Sequence, residues 1–301
     1  MSAWVALLGA KGGPAIRPGS SMPTSSLARL GGRLALIDAG LGAAAGVTRQ
    51  GVELTALDLI VVTHLHSDHV LELGPLIHTA WTAGLRRPLT VLGPPGLARA
   101  WEGFVASMAW DIDLRIADEG RPDLSDLVRI ETLREDAAHE FGPLRLRAMR
   151  NDHPPVRDSF ALRLEAEGLA VVFSGDTAPM ERMADFAAGA DLLVHEALLE
   201  EAVDALCARV GNGDERLRAH IMRSHTRAED AARIAARAGV RALALNHLIP
   251  ADDPAYDESH WRAAVAPHWS GPLHIARDGL RIDLGPQGAG GAAGLTTGET
   301  I

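Results

Sequence analysis

Residues 59–70 read Leu-Ile-Val-Val-Thr-His-Leu-His-Ser-Asp-His-Val, and this stretch decides the fold. The apolar run Leu59 to Val62 has the length and composition of a buried strand. It ends at Thr63, and four side chains able to ligate a metal follow within six positions: His64, His66, Asp68 and His69. In an extended turn, residues two apart point the same way, so His64 and His66 share a direction. Asp68 and His69 open a segment with apolar residues at helical spacing (Val70, Leu71, Leu73, Leu76, Ile77), which predicts a helix to about Gly84. Three imidazoles and a carboxylate at a strand end suit a borderline cation such as zinc.

Composition sets the bounds. The chain has 301 residues, 47% of them hydrophobic, enough for a sizeable core and too many for a mainly disordered chain. A formal net charge of −10 argues against a surface built to hold a polyanion. Small anionic substrates are compatible with it, since a metal supplies local positive charge. Cys207 is the single cysteine, so neither an intrachain disulfide nor a cysteine zinc site can form. The basic residues are almost all arginine, with Lys11 the lone lysine. No segment reaches the roughly 20 apolar residues of a membrane span. Trp4 to Ala10 is short, has no basic residue before it, and reads as a first strand rather than an export signal. The cytoplasm is therefore the default compartment; a chain whose export signal had been removed would read the same.

Further strands are expected at 3–9, 26–30, 33–38, 89–92, 112–116, 128–133, 144–149, 159–165, 169–174, 191–195, 240–246 and 273–276. Helices are expected at 96–110, 178–188, 197–210, 226–238 and 258–266. Gly31-Gly32 and Glu167-Gly168 are hairpin turns. The Gly/Pro/Ser-rich loop at 9–26 carries Arg17, as compatible with a surface turn as with a substrate-facing role. The helical pattern at 96–110 packs on a core. Alternatively Trp81, Trp101, Phe104, Met108 and Trp110 wall the metal site, which would favour aryl or aliphatic groups. With no long linker in the middle, residues 1–284 are expected to form one domain, and 285–301, rich in Gly, Ala and Thr, a disordered tail.

A pair of metals needs more donors than one string supplies. Three later residues each sit where an apolar strand ends: His153 in Arg-Asn-Asp-His-Pro, Asp176 in Val-Val-Phe-Ser-Gly-Asp-Thr, and His247 in Ala-Leu-Ala-Leu-Asn-His-Leu. Asp38, ending Leu-Ala-Leu-Ile-Asp, reads as a structural hydrogen-bonding residue beside them.

The ordered set His-x-His-x-Asp-His, His, Asp, His resembles the signature of binuclear members of the metallo-β-lactamase fold superfamily. The resemblance covers most of residues 3–280. It implies an α/β fold, an αββα sandwich of two mixed sheets with helices on the outer faces. It also implies two zinc ions, with manganese or iron as substitutes: His64, His66 and His153 on one, Asp68, His69 and His247 on the other, Asp176 bridging. A shared water activated to hydroxide would cleave an ester-type bond, phospho-, sulfo- or carboxylic, in a small, partly apolar substrate. Asp68 would also accept a hydrogen bond from that nucleophile.

Leu-Val-His-Glu-Ala (193–197) and Arg-Ser-His-Thr-Arg-Ala-Glu (223–229) resemble segments of the ribonuclease Z-like branch, which includes arylsulfatases and phosphodiesterases. That makes His225 a candidate proton donor to the leaving group, with Glu196 or His195 orienting it. True ribonuclease Z carries a tRNA-gripping arm between the residues matching His153 and Asp176. Only 22 residues separate them here, so a nucleic-acid substrate is not expected. His78, His139, His220, His260, His268 and His274 are assigned to structure or surface. The alternatives are a ribonuclease Z-like nuclease, an iron-dependent redox member of the superfamily, and a non-catalytic scaffold. A homodimer is compatible with the branch.

Overall fold

The computed structural model describes residues 2–135, 137–210 and 215–285. Of the expected tail at 285–301, residues 286–301 lie outside the described residues. Strands β1 (Ala3–Gly9), β2 (Ser25–Leu30), β3 (Arg33–Ile37), β4 (Leu59–Val61), β5 (Leu89–Gly93) and β6 (Val128–Thr132) belong to the first half. Strands β7 (Ala138–Phe141), β8 (Leu144–Arg150), β9 (Phe160–Ala166), β10 (Leu169–Phe173), β11 (Leu192–Leu198), β12 (Leu243–Ile249), β13 (Leu273–Ile275) and β14 (Leu280–Leu284) follow. They build two seven-stranded mixed sheets, in the orders β14-β1-β2-β3-β4-β5-β6 and β13-β12-β11-β10-β9-β8-β7. In each, a parallel half (β3 to β6; β10 to β13) joins an antiparallel half.

Strand alternation accounts for the layers. Leu59 and Val61 enter the core between the sheets, whereas Ile60 and Val62 enter a second core under helices. Strand β1 does the same, with Val5 and Leu7 on one side and Trp4, Ala6 and Leu8 on the other. A strand covered on both faces reads as a continuous apolar run, which is why 59–62 shows no polar alternation. Helices α1 (Ala43–Arg49), α2 (Ser67–Val70), α3 (Leu73–Thr82), α4 (Leu97–Ser107), α5 (Ala109–Glu119) and α6 (Leu124–Leu127) accompany the first sheet. Helices α7 (Glu181–Phe186), α8 (Glu200–Val210), α9 (Arg216–Ser224), α10 (Ala228–Ala238) and α11 (Glu258–Val265) accompany the second. Helix α10 lays Ala231, Ala232, Ile234, Ala235 and Ala238 on β11 and β12. The result is the expected αββα sandwich.

Several expectations need correction. Residues 112–116 are helical, inside α5: their alternation of Ile112, Leu114 and Ile116 misleads, and Leu114 is 49% exposed. Arg115 pairs with Asp111 and Glu119, four residues away on either side, as a helix surface favours. The helix after the ligand string breaks at Leu71-Glu72, where the Glu72 carboxylate turns to accept the N–H groups of Gly42 and Ala44. Strand β11 runs on to Leu198, so the following helix starts later than expected. Helices α1, α6 and α9 and strands β7 and β14 are additional to the expected elements.

Candidate metal centre

The site residues sit at or just beyond strand ends, on the turns and helix starts that follow them, and after helix α9. The turn after β4 carries His64 and His66, and α2 carries Asp68 and His69. Asp176 follows β10 through Gly175, whose φ of 57° is a left-handed conformation. A Cβ there would lie 2.5 Å from the Phe160 carbonyl oxygen, so only glycine lets the turn close this tightly. His247 itself has φ 45°. His153 leaves β8, Glu196 lies on β11, and His225 follows α9.

The structure brings all seven expected ligands together. Donor atoms of His64, His66, His153 and Asp176 lie within 4.8 Å of one another, as do those of Asp68, His69, Asp176 and His247. Asp176 belongs to both sets. Ring orientation follows from the hydrogen bonds behind each histidine. His69 Nδ1 donates to Asp38 Oδ2 at 2.8 Å and His153 Nδ1 to the Ser224 carbonyl at 3.0 Å, leaving Nε2 lone pairs toward the cluster. Thr63 gives its hydroxyl proton to Asp38, so the 3.2 Å contact with His64 Nδ1 is a donation from the ring, and His64 also presents Nε2. His66 presents Nδ1, which lies 3.0 Å from His64 Nε2 and 3.1 Å from His153 Nε2. Asp38, held at φ 60°, thus plays the structural role expected of it, and such outer hydrogen bonds set ligand tautomer and basicity.

The electrostatics favour a cation at the centre. Burial pushes the Asp176 carboxyl up, yet the His247 and His69 rings beside it hold it well below the usual carboxylate range. Burial likewise opposes charge on His247, but Asp176 and Asp68 raise it to about 10. Burial and the neighbouring His69 push His64 well down. The buried carboxylates Asp38, Asp68 and Asp176 therefore stabilise positive charge on His69 and His247, while burial and crowding keep His64 neutral. His69 Nε2 and Asp176 Oδ1 are buried with no hydrogen-bond partner. Polar atoms so placed fit a divalent metal cofactor, which replaces the protons it displaces.

Beside the cluster, His225 Nδ1 lies 3.0 Å from both Glu196 oxygens, and Glu196 Oε1 also accepts the Thr177 N–H. The His225 ring stacks on His247, centroids 5.4 Å apart. Glu196, rather than His195, is therefore the partner of His225. His195 Nδ1 bonds the Glu196 carbonyl at 2.8 Å, and burial pushes His195 down to about 4.

The cluster opens into a cavity of about 430 Å³, lined by His66, Asp68, Asp176, His225 and His247 at one end. Its apolar wall comes from Leu206 and Val210 of α8, Leu217 and Ile221 of α9, and Ile249. The aromatic wall considered above is not there: Trp81, Trp101, Phe104 and Met108 pack in the outer core, and Trp110 is 78% exposed. Sequence reasoning missed His220, a cavity residue whose ring lies 6.0 Å from that of His225 and 6.4 Å from that of His66. Leu217 and Ile221, four apart, were the available signal for the helix that presents it.

Comparisons with known proteins agree. A family model described as anti-Pycsar protein Apyc1 matches residues 11–247. The chain is 32% identical over 286 residues to a ribonuclease Z of Mycobacterium bovis, covering 94% of this chain and 99% of the relative. It superposes on the metallo-β-lactamase fold protein YhfI of Bacillus subtilis with a TM-score of 0.68 at 21% identity, covering 94% and 100% of the two chains. It also matches Zn²⁺-bound PqqB of Methylobacterium extorquens with a TM-score of 0.64 at 19% identity, covering 93% and 100%. Fold and relatives together define a metal-dependent hydrolase. The chain belongs to the family of that matching model, within the ribonuclease Z-like branch of the metallo-β-lactamase fold hydrolases. The chain spans the M. bovis ribonuclease Z almost end to end. Among the described residues no helix is long and apolar enough to cross a membrane.

Proposed function

We propose that this chain is a binuclear zinc phosphodiesterase acting on a small ester seated in the 430 Å³ cavity. The observation that carries the reading is the pair of four-donor sets sharing Asp176 at the end of that cavity. His64, His66 and His153 would hold one ion, Asp68, His69 and His247 the other, with Asp176 between. When bound, the ions supply Lewis acidity that activates water and neutralises charge on the reacting oxygens. Nitrogen and oxygen donors alone suit zinc, with manganese or iron as substitutes, and the zinc-bound neighbour supports that order.

The chain's own residues supply orientation and proton handling. Gly13 N–H donates to Asp68 Oδ2 at 2.8 Å, which fixes that carboxylate at the cavity floor, where its remaining lone pairs can orient the attacking water. Glu196 holds His225 Nδ1–H, so Nε2 of His225 is the atom that delivers a proton to the leaving oxygen. The wall of α8 and α9 excludes solvent from one side. Phosphodiesters are favoured over sulfate and carboxylic esters because the relatives are named for cleaving RNA, a phosphodiester. That same name supports a second reading, a nuclease with this site, in place of a small-molecule enzyme.

A panel of chromogenic phospho-, sulfo- and carboxylic esters, assayed with zinc-loaded and with chelated protein, tests the proposal. Metal-dependent turnover of the phosphodiesters is expected, as is loss of rate with retained metal in His225→Ala. Full activity in metal-free protein, or unchanged turnover of His225→Ala on a poor leaving group, would refute it. Faster cleavage of tRNA precursors than of any small diester would favour the nuclease.

A further inference from the structure

The cavity is also lined by basic residues outside the ligand cluster. Lys11, the only lysine in the chain, lines it with a side chain only 4% exposed. Its ammonium gives one proton to Asp252 Oδ2 at 3.2 Å and has no other acceptor among the described residues. An ammonium has three protons to place, so two remain to be given to a molecule in the cavity. Asp252 cannot absorb them, because it also accepts from Arg17 Nη1 at 3.3 Å and Arg209 Nη2 at 3.4 Å. Arg209 in turn pairs with Asp253 at 3.3 Å. Among the described residues, three cations face two carboxylates here, in a chain whose overall balance is −10. Arg17 also lines the cavity and is a third exposed.

The chain path ties these residues to the reacting groups. Gly12 packs so closely on His247 that a Cβ would lie 2.9 Å from its ring, and Gly13 bonds Asp68. Lys11 is thus one and two residues from groups touching the cluster, and a molecule bridging the two needs only a short arm. We propose that Lys11 and Arg17, anchored by Asp252, form an anion-binding point that selects substrates whose non-reacting arm ends in a carboxylate or phosphate. This rests on the hydrolase reading above.

Three p-nitrophenyl phosphodiesters test it, with ethyl, 2-carboxyethyl and 2-phosphonoethyl as the second arm. The zinc-loaded enzyme should favour an anionic arm over ethyl by at least about tenfold in kcat/KM, the effect expected of a desolvated charge-assisted contact. The two anionic arms separate carboxylate from phosphate recognition. Lys11→Met should bring the ratio toward one and Lys11→Arg should restore most of it. Arg17→Met, at a partly exposed position with little bearing on folding, should also lower it. A wild-type ratio at or below one, or an unchanged ratio in both Met variants, would overturn the proposal. Calorimetric titration with 3-phosphonopropionate decides the point without turnover: at least tenfold tighter binding by wild type than by Lys11→Met is expected, and equal binding overturns it. If no diester is hydrolysed, the hydrolase reading fails while the titration still judges the anion point.

Discussion

Asp38 is not itself one of the seven expected ligands, yet it should control metal affinity through His69. Its carboxylate is 3% exposed and accepts from Thr63 N–H at 2.7 Å, Thr63 Oγ1 at 2.9 Å and His69 Nδ1 at 2.8 Å. Asp38→Asn keeps the size but replaces one acceptor oxygen with an NH₂ that faces donors. At least one of the three bonds is lost, and the charge that polarises His69 disappears. Loss of such an outer partner typically weakens metal affinity about 10- to 100-fold, or about 1.4 to 2.8 kcal/mol. The ion held through His69 should suffer more than the one held through His64, which feels Asp38 only by way of Thr63. Competition against a zinc chelator dye, resolved into two dissociation constants, measures this directly. Two constants within threefold of wild type would refute the argument that Asp38 sets the His69 ring.

Three further outcomes follow from the same geometry. Glu196→Gln should keep its metal and lower kcat by about 10- to 100-fold, because Gln can no longer hold His225 as a charged acceptor does; parallel metal analysis and kinetics check it. Gly175→Ala should cost about 1–3 kcal/mol of stability, since alanine at φ 57° is strained and its Cβ meets the Phe160 carbonyl; urea denaturation reads the loss. His195, held near 4 by burial against an unfolded value near 6.5, is neutral when folded. The unfolded chain binds the extra proton between those values, so stability falls as pH drops from 6.5 to 4, by about 3 kcal/mol over the full window. The difference in urea midpoint between pH 7 and pH 5 should accordingly be smaller in His195→Asn than in wild type.

The parts legible in the sequence were those where one short segment carries its own signal. Residues 59–70 announce a doubly covered strand and a ligand-rich turn because both features are local. His153, Asp176 and His247 were legible through the apolar strands they terminate, and Asp38 for the same reason. Non-local features were not legible. Strand β14 is a single edge pairing with β1, made at a separation of more than 270 residues, so the Asp278-Gly279 turn before it does not reveal its partner. Residues 112–116 alternate like a strand, but helical ion pairs with Asp111 and Glu119 decide otherwise. The core packing of 96–110 was legible, but the cavity wall was not, since which apolar helix face meets the site depends on how α8 and α9 fold back over the ends of β11 and β12. His220 and Lys11 look ordinary as isolated residues; only their position on the cavity makes them interesting.

The central claim is that Asp176 stands between two cations. Anomalous scattering from crystals of zinc-loaded protein, measured on both sides of the zinc edge, tests it most directly. Two peaks should flank the Asp176 carboxylate, one beside His64, His66 and His153 and the other beside Asp68, His69 and His247. A single peak, or peaks away from Asp176, would contradict the account.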